Sequence, residues 1–225
     1  MAAIKYIVIL LYFLALVVAA QTATRFFVPE KRVAALKKEY GEQAVNRLNS
    51  LLVLMDELVE SKEEKKIMNV NKFFNQLEFS ADIQTWKKKD YWASRLEFLG
   101  KGRGDCEDFA VAKFLTMMQI GVPEKKLFLT YVKAVGYPEA AHMVVTYYPK
   151  PGTVPFVLDN YNQRILPATQ RKDLIPVYSF TANDLYIQKQ QVFRFERLFA
   201  QSRCHWLGQT VVLFLTWKNL PNELK

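Results

Sequence analysis

The sequence predicts an α+β domain, with helices in its first half and an antiparallel sheet in its second. Three observations carry that prediction. Apolar residues recur at helical spacing between Val33 and Met118. After Gly121-Val122-Pro123 the chain turns to short runs rich in β-branched and aromatic residues. The turn signal Pro149-Lys150-Pro151-Gly152 separates two of those runs and folds one back on the other. With 225 residues, 51% of them apolar and 14% aromatic, the chain can bury one full core.

The first element is not part of the domain. Lys5 precedes an uninterrupted apolar run, Tyr6 to Ala20, which ends at polar Gln21-Thr22. Val18-Ala19-Ala20 places small residues where a signal peptidase reads, so residues 1–20 are expected to be a secretory signal. The run falls short of the roughly 20 residues a membrane span needs. An uncleaved anchor is the alternative. No cysteine lies near the cleavage point, which argues against a lipoprotein.

Pro29 opens a short helix marked by Val33, Leu36 and Tyr40. Gly41 interrupts it, and Val45, Leu48, Leu51, Leu52, Met55 and Leu58 mark a longer one. The charged run Glu60 to Lys66 is expected to be a solvated helix end or loop. Asn69 to Leu77 reads as another short helix, with Val70, Phe73 and Phe74 inward. Trp86, Tyr91 and Trp92, set among charges, are expected in the core or a pocket wall. Gly102 and Gly104 then give a flexible entry to a helix that Asp105 caps and whose apolar face is Phe109, Ala110, Phe114, Met117 and Met118.

Strands are expected at Leu127–Val132, His142–Tyr148 and Pro155–Asp159, with a shorter one at Arg164–Leu166. The domain is expected to span residues 21–184. Beyond Asp184 the pattern fades into a tail, 185–225. Gln188 to Phe199 is expected to be helical there, and the apolar run Thr210 to Trp217 to be a strand or an idle tail.

The net charge is +9, but the basic residues are scattered, lysine runs such as Lys87-Lys88-Lys89 have acids beside them, and no nucleic-acid motif accompanies them. The chain has two cysteines, Cys106 and Cys204. One lies in an acidic helix start and the other in a basic tail, so they do not read as a disulfide pair.

Cys106 is the candidate nucleophile. It falls in the first turn of its helix, where unpaired backbone N–H groups and the helix dipole favour a thiolate. Asp105, Glu107 and Asp108 oppose that effect and call for a compensating histidine or cation. Of the two histidines, His142 opens one hairpin strand while Asp159 closes the other. With the turn centred between Lys150 and Pro151 they stand directly opposite, Cβ atoms roughly 5 Å apart. A carboxylate that fixes the imidazole, and an imidazole that takes and returns the thiol proton, complete the set a cysteine nucleophile needs. Cys204 and His205 read as bystanders.

The motifs Asp90-Tyr91-Trp92-Ala93, Gly104-Asp105-Cys106-Glu107-Asp108-Phe109-Ala110, Ala141-His142-Met143-Val144 and Leu158-Asp159-Asn160 together resemble the bacterial transglutaminase-like cysteine proteinases. The resemblance runs from about Asp82 to Phe180. It implies a transglutaminase-like, papain-like core with Cys106 as nucleophile, His142 as general base and acid, and Asp159 as orienting carboxylate. It implies a periplasmic protease that cuts a large surface adhesin at a paired-alanine site near its N-terminus, releasing it and dispersing biofilm. It implies control by an inner-membrane cyclic di-GMP receptor of the LapD type.

The family also implies calcium, and the hard carboxylate oxygens of Asp105, Glu107 and Asp108 suit that ion. Capping of the helix start is the alternative role for these acids. Zinc does not fit one cysteine and one histidine without a second ligand pair. Two departures stand out: Arg95 occupies a position where a proline is expected, and the chain after about Phe195 does not follow the family. Two other functions remain compatible with these residues: acyl transfer to an amine, and a secreted binding module with vestigial catalytic groups.

Overall fold

The computed structural model describes residues 25–135 and 141–181, together with the backbone of 137–140 and of two later strands, Leu185–Gln188 and Phe195–Leu198. The expected signal over residues 1–20, Cys204, His205 and the apolar run at 210–217 lie outside the described residues.

Helix α1 (Glu30–Tyr40) stops at Gly41, whose φ of +82° suits glycine, and α2 (Glu42–Leu58) starts immediately after it. The inward stripe of α2 is Val45, Leu48, Leu51, Met55 and Leu58, as the spacing predicts. The charged run is a correction. Helix α3 (Glu63–Phe74) begins inside it, and Lys66 is buried. The Glu63 carboxylate accepts from Lys126 Nζ at 2.8 and 2.9 Å and from the Tyr147 hydroxyl at 2.6 Å. Tyr147 on the sheet and Lys126 just ahead of its first long strand, invisible locally, draw Glu63 inward.

Next come β1 (Glu78–Phe79), the single turn α4 (Asp82–Thr85) and α5 (Arg95–Lys101). Ser94 and Glu97 close a capping box on α5, and Gly102 ends it in the left-handed conformation. β2 (Arg103–Gly104) then pairs in parallel with β1. Helix α6 (Cys106–Gln119) follows at once. It is buried nearly all round, packed against α3 and α5 on one side and the sheet on the other. Phe109, Ala110, Phe114 and Met117 of α6 meet Phe74, Phe98, Leu129 and Val145 in one core. Among the described residues no helix is long and apolar enough to cross a membrane.

The sheet holds β3 (Leu127–Ala134), β4 (Tyr137–Tyr147), β5 (Phe156–Leu158), β6 (Leu166–Pro167), β7 (Leu174–Phe180), β8 (Leu185–Gln188) and β9 (Phe195–Leu198). Their order is β6-β5-β4-β3-β7-β8-β9, with antiparallel pairing throughout. The helix expected over Gln188–Phe199 is thus corrected, because Gln188 ends one strand and Phe195–Leu198 forms another. The open edge of β7 supplies pairing that local sequence does not reveal.

One further correction concerns register. Val145 lies opposite Leu158 and Tyr147 opposite Phe156, two residues from the expected alignment. A two-residue shift keeps every side chain on its face. Asp159 therefore still points toward His142, as a diagonal neighbour instead of a direct one.

Candidate active site

Three pieces of chain converge at the start of α6: the β2–α6 junction, the middle of β4 and the residue after β5. Cys106 opens α6 and is 7% exposed. Its thiol donates to Glu107 Oε2 at 2.8 Å, and its sulfur accepts from the backbone N–H of Met143, the residue after His142. Burial pushes the thiol well above its ordinary pKa, and the charges of Glu107 and Asp105 add to that. With these carboxylates uncompensated, the resting group is a thiol.

His142 and Asp159 are almost fully enclosed. The imidazole Nε2 meets Asp159 Oδ1 at 2.8 Å. Asp159 Oδ1 also accepts from the Tyr161 N–H at 3.0 Å, and Oδ2 accepts from Arg171 Nη2 at 2.6 Å. Its backbone carbonyl accepts from Asn75 Nδ2 at 2.9 Å and from Lys113 Nζ at 3.1 Å. Burial alone would raise the Asp159 carboxyl. The hydrogen bonds and charges of His142 and Arg171 outweigh it and hold the group well below the usual range. An ionised Asp159 can only accept, so Nε2 of His142 carries the hydrogen. Nδ1 is left buried without a hydrogen-bond partner, free to accept a proton.

Arg171 and Lys113 escaped the sequence argument. Nothing in their spacing ties Arg171 to Asp159; only a buried carboxylate's need for a counter-charge suggests such a residue. Lys113 left a signal: a lysine set between Phe109, Ala110, Phe114 and Met117 interrupts an apolar helix. It is buried, and burial lowers its pKa to about 7 against the pull of Asp159.

Beside the thiol lies a group of carboxylates. Oxygens of Asp82, Asp105 and Asp108 lie within 4.8 Å of one another. Asp108 Oδ1 accepts from the Ala93 N–H at 2.8 Å, and Asp82 Oδ2 accepts from the Tyr91 N–H. Asp105 sits at the cap position yet makes no side-chain capping bond. Asp105 and Asp108 are three apart and share a face, whereas Glu107 lies against Asp105 and accepts from the thiol. Asp82 was not foreseen, because it comes from a separate turn more than twenty positions upstream.

This cluster is under electrostatic load. Asp105 is pushed up to about 9, first by burial and then by Glu107 and Asp108. Asp108 rises to about 7 by burial, against the Ala93 N–H that lowers it, and Asp82 is raised in the same way. Asp82 Oδ1, Asp105 Oδ1 and Asp108 Oδ2 are each buried with no hydrogen-bond partner. Three orphaned hard oxygens at this spacing fit a divalent cation such as Ca²⁺. Gly104 makes the packing possible: a Cβ there would meet Asp108 Oδ2 at 2.3 Å and the Phe98 ring at 2.9 Å.

The site thus brings a buried thiol, an oriented imidazole and a cation-ready carboxylate group into one place. The model of a family described as bacterial transglutaminase-like cysteine proteinase matches residues 51–184. The chain is similar to solved structures of Legionella pneumophila LapG. One shares 38% identity over 71% of this chain and 87% of that one, with a TM-score of 0.63. The calcium-bound form shares 32% identity over 84% of this chain and 98% of that one, with a TM-score of 0.67. The EGTA-treated form shares 36% identity over 74% of this chain and 89% of that one, at 0.64. No protein with a curated description matches.

Proposed function

The chain belongs to the bacterial transglutaminase-like cysteine proteinases, and from that premise we propose a calcium-dependent endopeptidase exported to the periplasm. Its substrate is a large surface adhesin, cut at a paired-alanine site near the N-terminus so that the adhesin is released and biofilm disperses. An inner-membrane cyclic di-GMP receptor of the LapD type restrains it. The observation that carries the catalytic part is the His142 Nε2–Asp159 Oδ1 contact of 2.8 Å beside Cys106.

Cys106 gives its proton to Nδ1 of His142, and its sulfur attacks the scissile carbonyl carbon. Asp159, ionised and fixed by Arg171, steadies the imidazolium. The imidazolium returns the proton to the departing amine, which leaves the acyl group on Cys106 as a thioester. His142 then takes a proton from water, which attacks the thioester and frees the thiol.

Asp82, Asp105 and Asp108 would hold Ca²⁺, with Glu107 at the edge of the site. The ion supplies the positive charge that cancels these carboxylates, and so lowers the cost of a thiolate next to them. The calcium-bound and EGTA-treated forms of LapG support calcium as the ion.

The test is digestion of an adhesin N-terminal fragment bearing paired alanines. Cutting at that pair should require Ca²⁺ and Cys106 and should fail with EGTA or Cys106→Ala. Cleavage by Cys106→Ala would reject the nucleophile, and cleavage in excess EGTA would reject the metal.

A further inference from the structure

Two large aromatic side chains stand in solvent beside His142: Tyr161 is 60% exposed and Phe79 is 46% exposed. Their rings meet edge to face, centroids 5.2 Å apart. Tyr161 also lies flat on the His142 imidazole, 4.5 Å centroid to centroid and 8° from parallel. One face of Tyr161 therefore covers the imidazole, and the rest of the ring is open.

The two rings come from opposite halves of the domain. Phe79 belongs to β1 and pairs with Gly104, just ahead of Asp105-Cys106. Tyr161 follows β5, its backbone anchored to Asp159 Oδ1 at 3.0 Å. Together they span the nucleophile's side of the site and the histidine's side. Shielding the His142–Asp159 bond from water explains the covered face of Tyr161. It does not explain why Phe79 is drawn to the same spot and left exposed. Preorganised aromatic pairs at the edge of a reaction centre bind apolar groups, because they bury large area with little loss of side-chain freedom.

We propose that Phe79 and Tyr161 form the subsite for an uncharged, apolar side chain on the leaving-group side of the scissile bond. The assignment rests on the peptidase function proposed above. The side follows from the chemistry: the imidazole protonates the departing amine, so what lies against it meets the substrate beyond the cut. The apolar character follows from the two rings themselves, which offer hydrocarbon area and no counter-charge to a charged side chain.

N-acetyl-alanyl vinyl sulfones test this without an identified substrate. The Cys106 thiolate adds to the β-carbon of the vinyl group, forming a thioether, and the α-carbon takes the proton held by His142. The sulfone substituent then occupies the leaving-group side. Alkylation rates of a phenyl and a carboxymethyl sulfone are measured by intact mass, each divided by the same protein's rate with iodoacetamide. The phenyl compound should react about tenfold faster. That preference should shrink to about twofold or less in Phe79→Ala and Tyr161→Ala, and survive in Tyr161→Phe. Equal rates in the unaltered protein, or a preference unchanged in both alanine variants, would overturn the subsite. Failure of iodoacetamide to alkylate Cys106 would overturn the nucleophile itself, and the subsite with it.

Discussion

At the residue scale, Asp159 and the three clustered aspartates are charged groups handled in opposite ways. Asp159 has its cations built in, and its pKa in the fold lies below the unfolded value of about 3.9. Its stabilisation is present above that value and is lost as pH falls through the folded pKa. Asp105 and Asp108 are raised, so in the ion-free fold they hold protons that the unfolded chain releases. Stability of the chelated protein should therefore fall as pH rises from about 4 to 7, and saturating Ca²⁺ should flatten that slope. Thermal melts at pH 5 and pH 7, with EGTA and with Ca²⁺, measure it; parallel slopes in the two series would count against the cluster. Arg171→Met leaves a buried carboxylate half-paired and should cost about 3–5 kcal/mol in urea unfolding. Arg171→Lys should cost less, since it keeps the charge while losing the planar fork that reaches both Asp159 and Asp173.

At the scale of elements, helix α6 organises the site. Its first turn carries the thiol and Asp108, and two turns later Lys113 holds the Asp159 carbonyl. Gly104 sets how closely the strand before it approaches. Gly104→Ala should push the Asp108 carboxylate aside and weaken Ca²⁺ binding about tenfold or more, read by calorimetric titration. Unchanged affinity would mean that Asp108 is no ligand. The elements most legible in the sequence were those governed by short-range rules: the break at Gly41, the apolar stripe of α2, the strands flanking the proline turn. The His142–Asp159 contact was legible for a sturdier reason, because a register error of two residues preserves the face. Asp82, Arg171 and the charged start of α3 were not legible. Each is fixed by a partner far along the chain, and a single sequence carries no trace of such pairings.

At the scale of the molecule, the site lies where a helical half and a sheet half meet. The nucleophile and the carboxylate cluster belong to the first, His142, Asp159 and Arg171 to the second, and α6 packs between them. The sheet also runs past the point where the sequence pattern fades, since β8 and β9 continue it beyond residue 184. Strand pairing at an edge needs little local signal, so a tail read as patternless can still be ordered. The central claim is that Cys106 forms a covalent acyl intermediate with help from His142. Its most direct measurement is the intact mass of the protein, quenched in acid within milliseconds of mixing with an adhesin N-terminal fragment and Ca²⁺. The account predicts a mass increase equal to the N-terminal product less one water, mapped to Cys106 and missing in His142→Ala. Cleaved fragment with no adduct on Cys106, at any quench time, would contradict it.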